Sequence, residues 1–467
     1  MQNVCGKESV AESAPNEFRA SDPAVGCGGF ASPNWLGWAL FFGALCGFFW
    51  LASNFPGSVD VRRYSSGIFD ADVDRVVRSI TSFQSDGLRL SVHPLFHVFV
   101  TPLSLALAHW PLSQFANAKI VCIAGILVQA TLVWAIVRRE CLNASAASPA
   151  AAAIFLCSFS VALFSVIPES CAWSGVSSLL PIWLSLARRG RRFSLWEAVA
   201  WAGLLPLSIG FTVTQVAFWP LALVFRLAFI WRDQGFRALW GAAARGLVSL
   251  LLGAVSVFYL ARLQHSLNPS APLFYASNLV AGERLYSRPL EIASLSPALV
   301  APVIKQMLVY PFVPPEPGYS KVVQSYGYFS LSLEEANPDR QRWIVCMLRI
   351  AFLALFFGVL PFARRADAAA SILLAGIAFQ ILLHLFYGRE YILYSLNWVG
   401  LLVALSVISA SRLPPRLFAT WLVAVAVLLP CVTMWNYTML AEVVSEVSYG
   451  LDVSLRDANG LRLTPPR

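Results

Sequence analysis

Residues 120–139 read IVCIAGILVQATLVWAIVRR, eighteen residues without a charge closed by Arg138 and Arg139. A helix of about 20 apolar residues matches the hydrocarbon thickness of a bilayer, so this stretch reads as a membrane span. Its apolar core, taken as 117–137, has ten counterparts: 35–53, 149–167, 171–187, 195–211, 213–231, 246–263, 343–363, 368–387, 391–410 and 417–437. The chain has 467 residues, of which 58% are hydrophobic and 13% charged, and its mean hydropathy is +0.65. Soluble domains carry about 25% charged residues. This chain has too few to clothe a soluble surface, and the expected fold is an all-α polytopic membrane protein with about eleven transmembrane helices.

The arginine pair that closes the first stretch also begins a series. Arg188, Arg189, Arg191 and Arg192 follow two spans later, then Arg232, Arg237 and Arg245, then Arg364 and Arg365, then Arg412 and Arg416. Every second loop is basic, whereas the alternate short loops hold only Arg389. The positive-inside rule places the basic series in the cytoplasm. The same distribution explains the net charge of +9 without a nucleic-acid partner, for which no binding motif is present.

Residues 1–33 are polar and rich in Gly and Pro, and read as a disordered cytoplasmic tail rather than a signal peptide. With that tail inside, the segment 94–110 must not cross. It is short, carries His97 and His109, and is broken by Pro94, Pro102 and Pro111, which suits a re-entrant or interfacial helix. The competing topology puts the N-terminus outside, counts twelve spans and moves loop 54–93 to the cytoplasm. In the eleven-span reading the membrane domain is 34–437. The long regions 54–116 and 264–342 and the tail 438–467 then lie on the periplasmic side.

Nine cysteines, none in a CxxC pair, read mostly as small buried hydrophobes. GxxxxGK[ST] and HExxH motifs are lacking, which leaves no support for a P-loop ATPase or a zincin.

Chemistry concentrates in the outer loops. Residues 68–78, IFDADVDRVVR, place Asp70 and Asp74 on one helical face, and the apolar spacing predicts an amphipathic surface helix over 71–82. Asp70 or Asp72 would cap it. The plain reading is a cap and a solvated face; the sharper one is a carboxylate group for proton abstraction or for a divalent cation. His93-Pro94-Leu95 then opens the non-crossing segment, since the residue before proline avoids helix and proline tolerates the first turn.

An early span, a long outer loop with a D-x-D-x-R stretch and a His-Pro-Leu turn into an apolar segment resemble the GT-C superfamily of membrane glycosyltransferases. The nearest likeness is to bacterial relatives of protein-O-mannosyltransferases and aminoarabinose transferases. It is clearest over 54–137. This chain has one proline after His93 where many members have two, and it lacks the usual Asp-Glu pair. The resemblance implies a GT-C-like fold with outer-face juxtamembrane helices and a polyprenyl-phosphate sugar donor taken from the bilayer. It also implies an active-site aspartate in the first outer loop, for which Asp72, Asp70 and Asp74 are the candidates.

Glu169, between two apolar runs, is either an interfacial residue or a functional carboxylate. The resemblance makes it the second acidic candidate. In Tyr387-Gly388-Arg389-Glu390-Tyr391, Arg389 breaks the charge rule, and its guanidinium could hold a phosphate bidentately. The alternative is a neighbour pair with Glu390 inside an aromatic belt. With Arg75, His93 and Tyr391, Arg389 forms the expected donor-phosphate set. Loop 264–342, with the stiff run YPFVPPEP at 310–317, reads as a lid carrying a short helix near 291–309. His384 and Gln380, one turn apart, read as packing between helices. The leading expectation is a glycosyltransferase at the outer face of a bacterial inner membrane. The alternatives are a transporter or flippase of a lipid-linked glycan and an inactive scaffold.

Overall fold

The computed structural model describes residues 34–54, 73–84, 93–141, 143–269, 297–319, 331–332, 343–365, 367–387 and 391–458. They are almost entirely helical. In chain order the helices are α1 (Asn34–Asn54), α2 (Val73–Thr81), α3 (Phe96–Leu107), α4 (Gln114–Glu140), α5 (Ala144–Leu156), α6 (Phe159–Val166), α7 (Cys171–Ala187) and α8 (Leu195–Phe211). Then follow α9 (Phe218–Gln234), α10 (Phe236–Leu267), α11 (Pro297–Leu308), α12 (Trp343–Phe357), α13 (Asp367–Phe386), α14 (Leu396–Ala410) and α15 (Pro415–Ala458). A two-residue antiparallel ladder, β1 (Gly318–Tyr319) with β2 (Leu331–Ser332), is the only sheet among the described residues.

The helix starts follow local chemistry. Ser113, Ser158 and Ser194 each accept a backbone N–H three residues on, capping α4, α6 and α8. The Ser158 cap restarts the helix after Cys157, so α5 and α6 are bent by 56° to one another. Gly235, at φ +81°, makes the turn from α9 to α10 that a side chain would strain.

Seven described helices are long and apolar enough to cross a membrane, or eight if α5 and α6 form one bent span. α3, α7, α8 and α14 are shorter apolar helices. This is a multi-pass membrane architecture. Every expected span contains apolar helix, with differences: 149–167 is not one continuous helix but is broken at Cys157 into α5 and α6, 391–394 is a tight turn ahead of α14, α10 begins ten residues before the expected 246, and α15 runs past 437 to Ala458.

The basic loops meet at one end of the bundle. Arg189 pairs with Glu140 at 3.2 Å, and Arg412 donates to the Glu140 carbonyl at 2.7 Å. Arg226 reaches the Arg191 carbonyl, and Arg245 that of Phe193. The start of α5 joins the start of α1 through Ser145 and Asn34. Arg226 and Glu197 form a doubly hydrogen-bonded pair at 2.7 and 3.1 Å, both side chains fully buried.

At the other end α2 lies on α3 and α4. Its apolar face, Val73, Val77 and Ile80, is buried as the periodicity predicts, although the described helix begins at 73 rather than 71. The Thr101 hydroxyl ties α3 to the Ser79 carbonyl. The run after α11 packs into the core: Val309–Pro317 are all buried. Donors from three helices take its carbonyls and that of the neighbouring Met307: Arg349 to Val313, Trp435 to Pro314 and Trp398 to Met307.

Candidate functional site

The site grows from the His93-Pro94-Leu95 turn. Proline keeps His93 out of the helix, and α3 starts three residues later. The Leu95 N–H donates to the Gly210 carbonyl at 3.1 Å. This approach needs a glycine: a Cβ on Gly210 would stand 2.7 Å from that of Leu95. Gln264, in the last turn of α10, donates to the Pro94 carbonyl at 2.5 Å. The turn is thus held between the ends of α8 and α10.

So placed, His93 has Nδ1 2.5 Å from the Phe211 carbonyl and Nε2 3.4 Å from the Ser170 hydroxyl. A carbonyl only accepts, so Nδ1 carries a proton; the single Ser170 hydroxyl proton goes to Glu169, so Nε2 meets the Ser170 oxygen as a donor, with a proton on each ring nitrogen. Ser170 in turn binds Glu169: its N–H and hydroxyl both lie on Oε1, at 2.8 and 2.9 Å. Glu169 lies two residues before α7, at the end where the helix dipole favours a carboxylate. The Glu169 carbonyl takes Cys122 Sγ and the Ala172 N–H, anchoring the turn on α4 and α7. Two residues far apart in sequence, His93 and Glu169, are therefore joined through one serine.

A polar seam runs inward from this point. Ser174, one turn below Ser170, bonds Asn397 at 2.6 Å, and Ser178 reaches the Asn397 carbonyl. Ser395 bonds Ser160 at 2.6 Å. Beside them lies Tyr391, buried, with its ring 5.6 Å from that of His384. Gln380 donates to Gln215 at 3.0 Å, four residues beyond Phe211. The expectation that Gln380 and His384 pack between helices agrees with this placement.

The rest of the expected set divides. Asp74 is engaged by Arg78 at 2.8 Å along α2. Arg75 is half-buried on the same helix. Asp70, Asp72 and Arg389 lie outside the described residues. Among the described residues, no three His, Cys, Asp or Glu side chains gather as a metal ion would require.

Two participants escaped the sequence reading. Ser170 had a signal, its place beside Glu169, but nothing in the sequence aims it at His93. Arg349 was visible as the single charge in α12. It is buried, its Nε donates to Val313, and its guanidinium lies 5.4 Å from the Tyr310 ring centroid. No carboxylate lies within ion-pair reach of it among the described residues. In comparisons with known proteins, no family model and no curated protein matches the chain.

Proposed function

We propose that the chain is a GT-C-like glycosyltransferase of about eleven passes, working at the outer face of a bacterial inner membrane. It would move a sugar from a polyprenyl-phosphate donor to a lipid, glycan or protein acceptor. The carrying observation is the His93–Ser170–Glu169 junction at the end of the bundle opposite the arginines. The contacts at the two ends of the bundle support the pass count: read through them, the chain alternates direction from α1 to α15, with α5 and α6 counted together and α3 remaining at the outer end.

In this reading a carboxylate takes the proton of the acceptor hydroxyl as its oxygen bonds the anomeric carbon. The bond from that carbon to the donor phosphate breaks, and the phosphate leaves with the electron pair. Asp72 is the first candidate base, with Asp70 and Asp74 as alternatives. Glu169 orients the acceptor through Ser170. Arg389, Arg75 and His93 neutralise the leaving phosphate, with Tyr391 at the donor edge.

One observation favours the transporter alternative: the break between α5 and α6, since broken helices build transport sites. Its freed groups are satisfied inside the protein, however. Ser158 bonds the Phe155 carbonyl, and Asn436 bonds that of Cys157. The test is to incubate purified protein with a panel of polyprenyl-phosphate sugars and measure released polyprenyl phosphate. Release by the native chain is expected, cut by about 100-fold in Asp72→Asn, since general-base help is worth about 10²–10⁴-fold, and lowered in Glu169→Gln through loss of acceptor orientation. Equal release by both variants would remove these carboxylates from the mechanism, and no release from any donor would remove the activity.

A further inference from the structure

Arg349 is the single charge in α12, and the proposed reaction makes no use of it. It lies six residues inside the Trp343 end, about 9 Å along the helix, which in a multi-pass protein is the depth of the outer hydrocarbon. Its side chain turns inward and is 7% exposed, on the face of the buried Val345 and Phe352. It does not rise to bulk water as a long cation near the end of a span commonly does. Its Nε donates to the Val313 carbonyl at 3.2 Å, and its Nη2 is buried with no hydrogen-bond partner among the described residues. A charge at such a depth needs an opposite charge beside it.

A second cation stands at the same place. Lys305, in the last turn of α11, has its Nζ 5.5 Å from the Tyr310 ring centroid, and the Arg349 guanidinium lies 5.4 Å from that centroid. The ring attracts each of them. Two like charges around one phenol also repel each other, and no ion pair among the described residues includes either. The main chain holds the three side chains in place. The N–H groups of Val309 and Tyr310 both donate to the Lys305 carbonyl, which closes α11 onto the ring. Phe312 stacks on Phe352 at 4.5 Å, one turn of α12 from Arg349. A guanidinium, an ammonium and a phenol on three separate stretches of chain suit a tetrahedral phosphate, whose oxygens point in four directions, better than a planar carboxylate. The surroundings indicate where a phosphate would come from. Met347 and Ile350, flanking Arg349 in sequence, are exposed and apolar, as is Ile304 beside the exposed Lys305. Acyl chains lie against such side chains, and their headgroups stand at the end of the bundle opposite the arginine clusters.

We propose that Lys305, Tyr310 and Arg349 form a site for the phosphate of an anionic phospholipid of the bilayer, which neutralises Arg349 and pins the run 309–317 to α12. None of the three belongs to the donor-phosphate set, and the site does not depend on the transferase reading. A zwitterionic phospholipid fits less well, because its own ammonium is carried toward the two cations.

The experiment uses the full chain, purified in neutral detergent and stripped of lipid. Phosphatidylglycerol and phosphatidylcholine, each with a photoactivatable group near the glycerol, are added separately, and labelled peptides are mapped. Phosphatidylglycerol is expected to label 300–313 and 343–357, with phosphatidylcholine about tenfold weaker there. Arg349→Gln should lower the phosphatidylglycerol label at those peptides by about tenfold, the worth of a hydrogen-bonded charge. Arg237→Gln, an exposed arginine at the basic end, should leave it unchanged. If Arg349→Gln fails to fold, Lys305→Gln, at an exposed position, carries the same expectation. Equal labelling by phosphatidylcholine, or labelling unchanged in both variants, would overturn the proposal. Millimolar inorganic phosphate that abolishes the label would overturn the lipid as the source while keeping the phosphate site. Equimolar polyprenyl phosphate that displaces the label would assign the site to the sugar donor and overturn the proposal. No sugar transfer is measured, so a failure of the transferase reading leaves each of these outcomes readable.

Discussion

Glu169 and Glu197 are both glutamates in apolar surroundings, and their partners give them opposite duties. Glu197 is locked by Arg226, with both side chains fully buried. Removing one partner of such a pair strands a charge and costs about 3–5 kcal/mol, while replacing both is far milder. Glu197→Ala should therefore lower the thermal midpoint sharply, and adding Arg226→Met should restore much of it. Glu169 takes the Ser170 N–H and hydroxyl on Oε1, and that serine meets His93 on its other side. A third residue reports on the basic end: burial pushes the Cys141 thiol up to about 12. The thiolate is the reactive form, so at pH 8 almost none is present. Maleimide should spare Cys141 in the folded protein and label it after denaturation, and rapid labelling of the native state would show the end of α4 to be open.

At the scale of elements, the His93 turn depends on the end of α8. Gly210→Leu should drive Leu95 off that end while leaving the spans in place. The Leu95 amide then loses a hydrogen bond worth ~1 kcal/mol and should exchange about fivefold faster. Unchanged protection at Leu95 would mean that the turn is held elsewhere. The spanning helices were legible in sequence because they are long apolar runs, several with a serine or a charge at the edge. The bend at Cys157 was not, because Ala144–Val166 is apolar on both sides of the break and only the cap at Ser158 marks it. The burial of 309–317 was also hidden. Its prolines read as a stiff run in a lid, and the tryptophans that bond Pro314 and the neighbouring Met307 lie some 90 to 120 residues further along the chain. The His93–Ser170 meeting, across 77 residues, has no local signature at all.

For the whole molecule, the gathering of arginines at one end makes orientation testable. A reporter inserted at Gly190, the exposed positive-φ turn between α7 and α8, should score as cytoplasmic, and one at Pro168 as periplasmic. A cytoplasmic score near Ser85 would turn the first outer loop inward and remove the transferase proposal with it.

The buried run 309–317 also sets an order of construction. It leaves the ribosome before α12, α14 and α15, yet those helices supply the N–H groups that its main chain and the neighbouring Met307 require. Until Trp435 has been synthesised, the Pro314 oxygen must be served by water or by a temporary neighbour. The centre of the protein is therefore finished by its last helix, and a chain cut short before α15 would enter the membrane with its middle still unsealed.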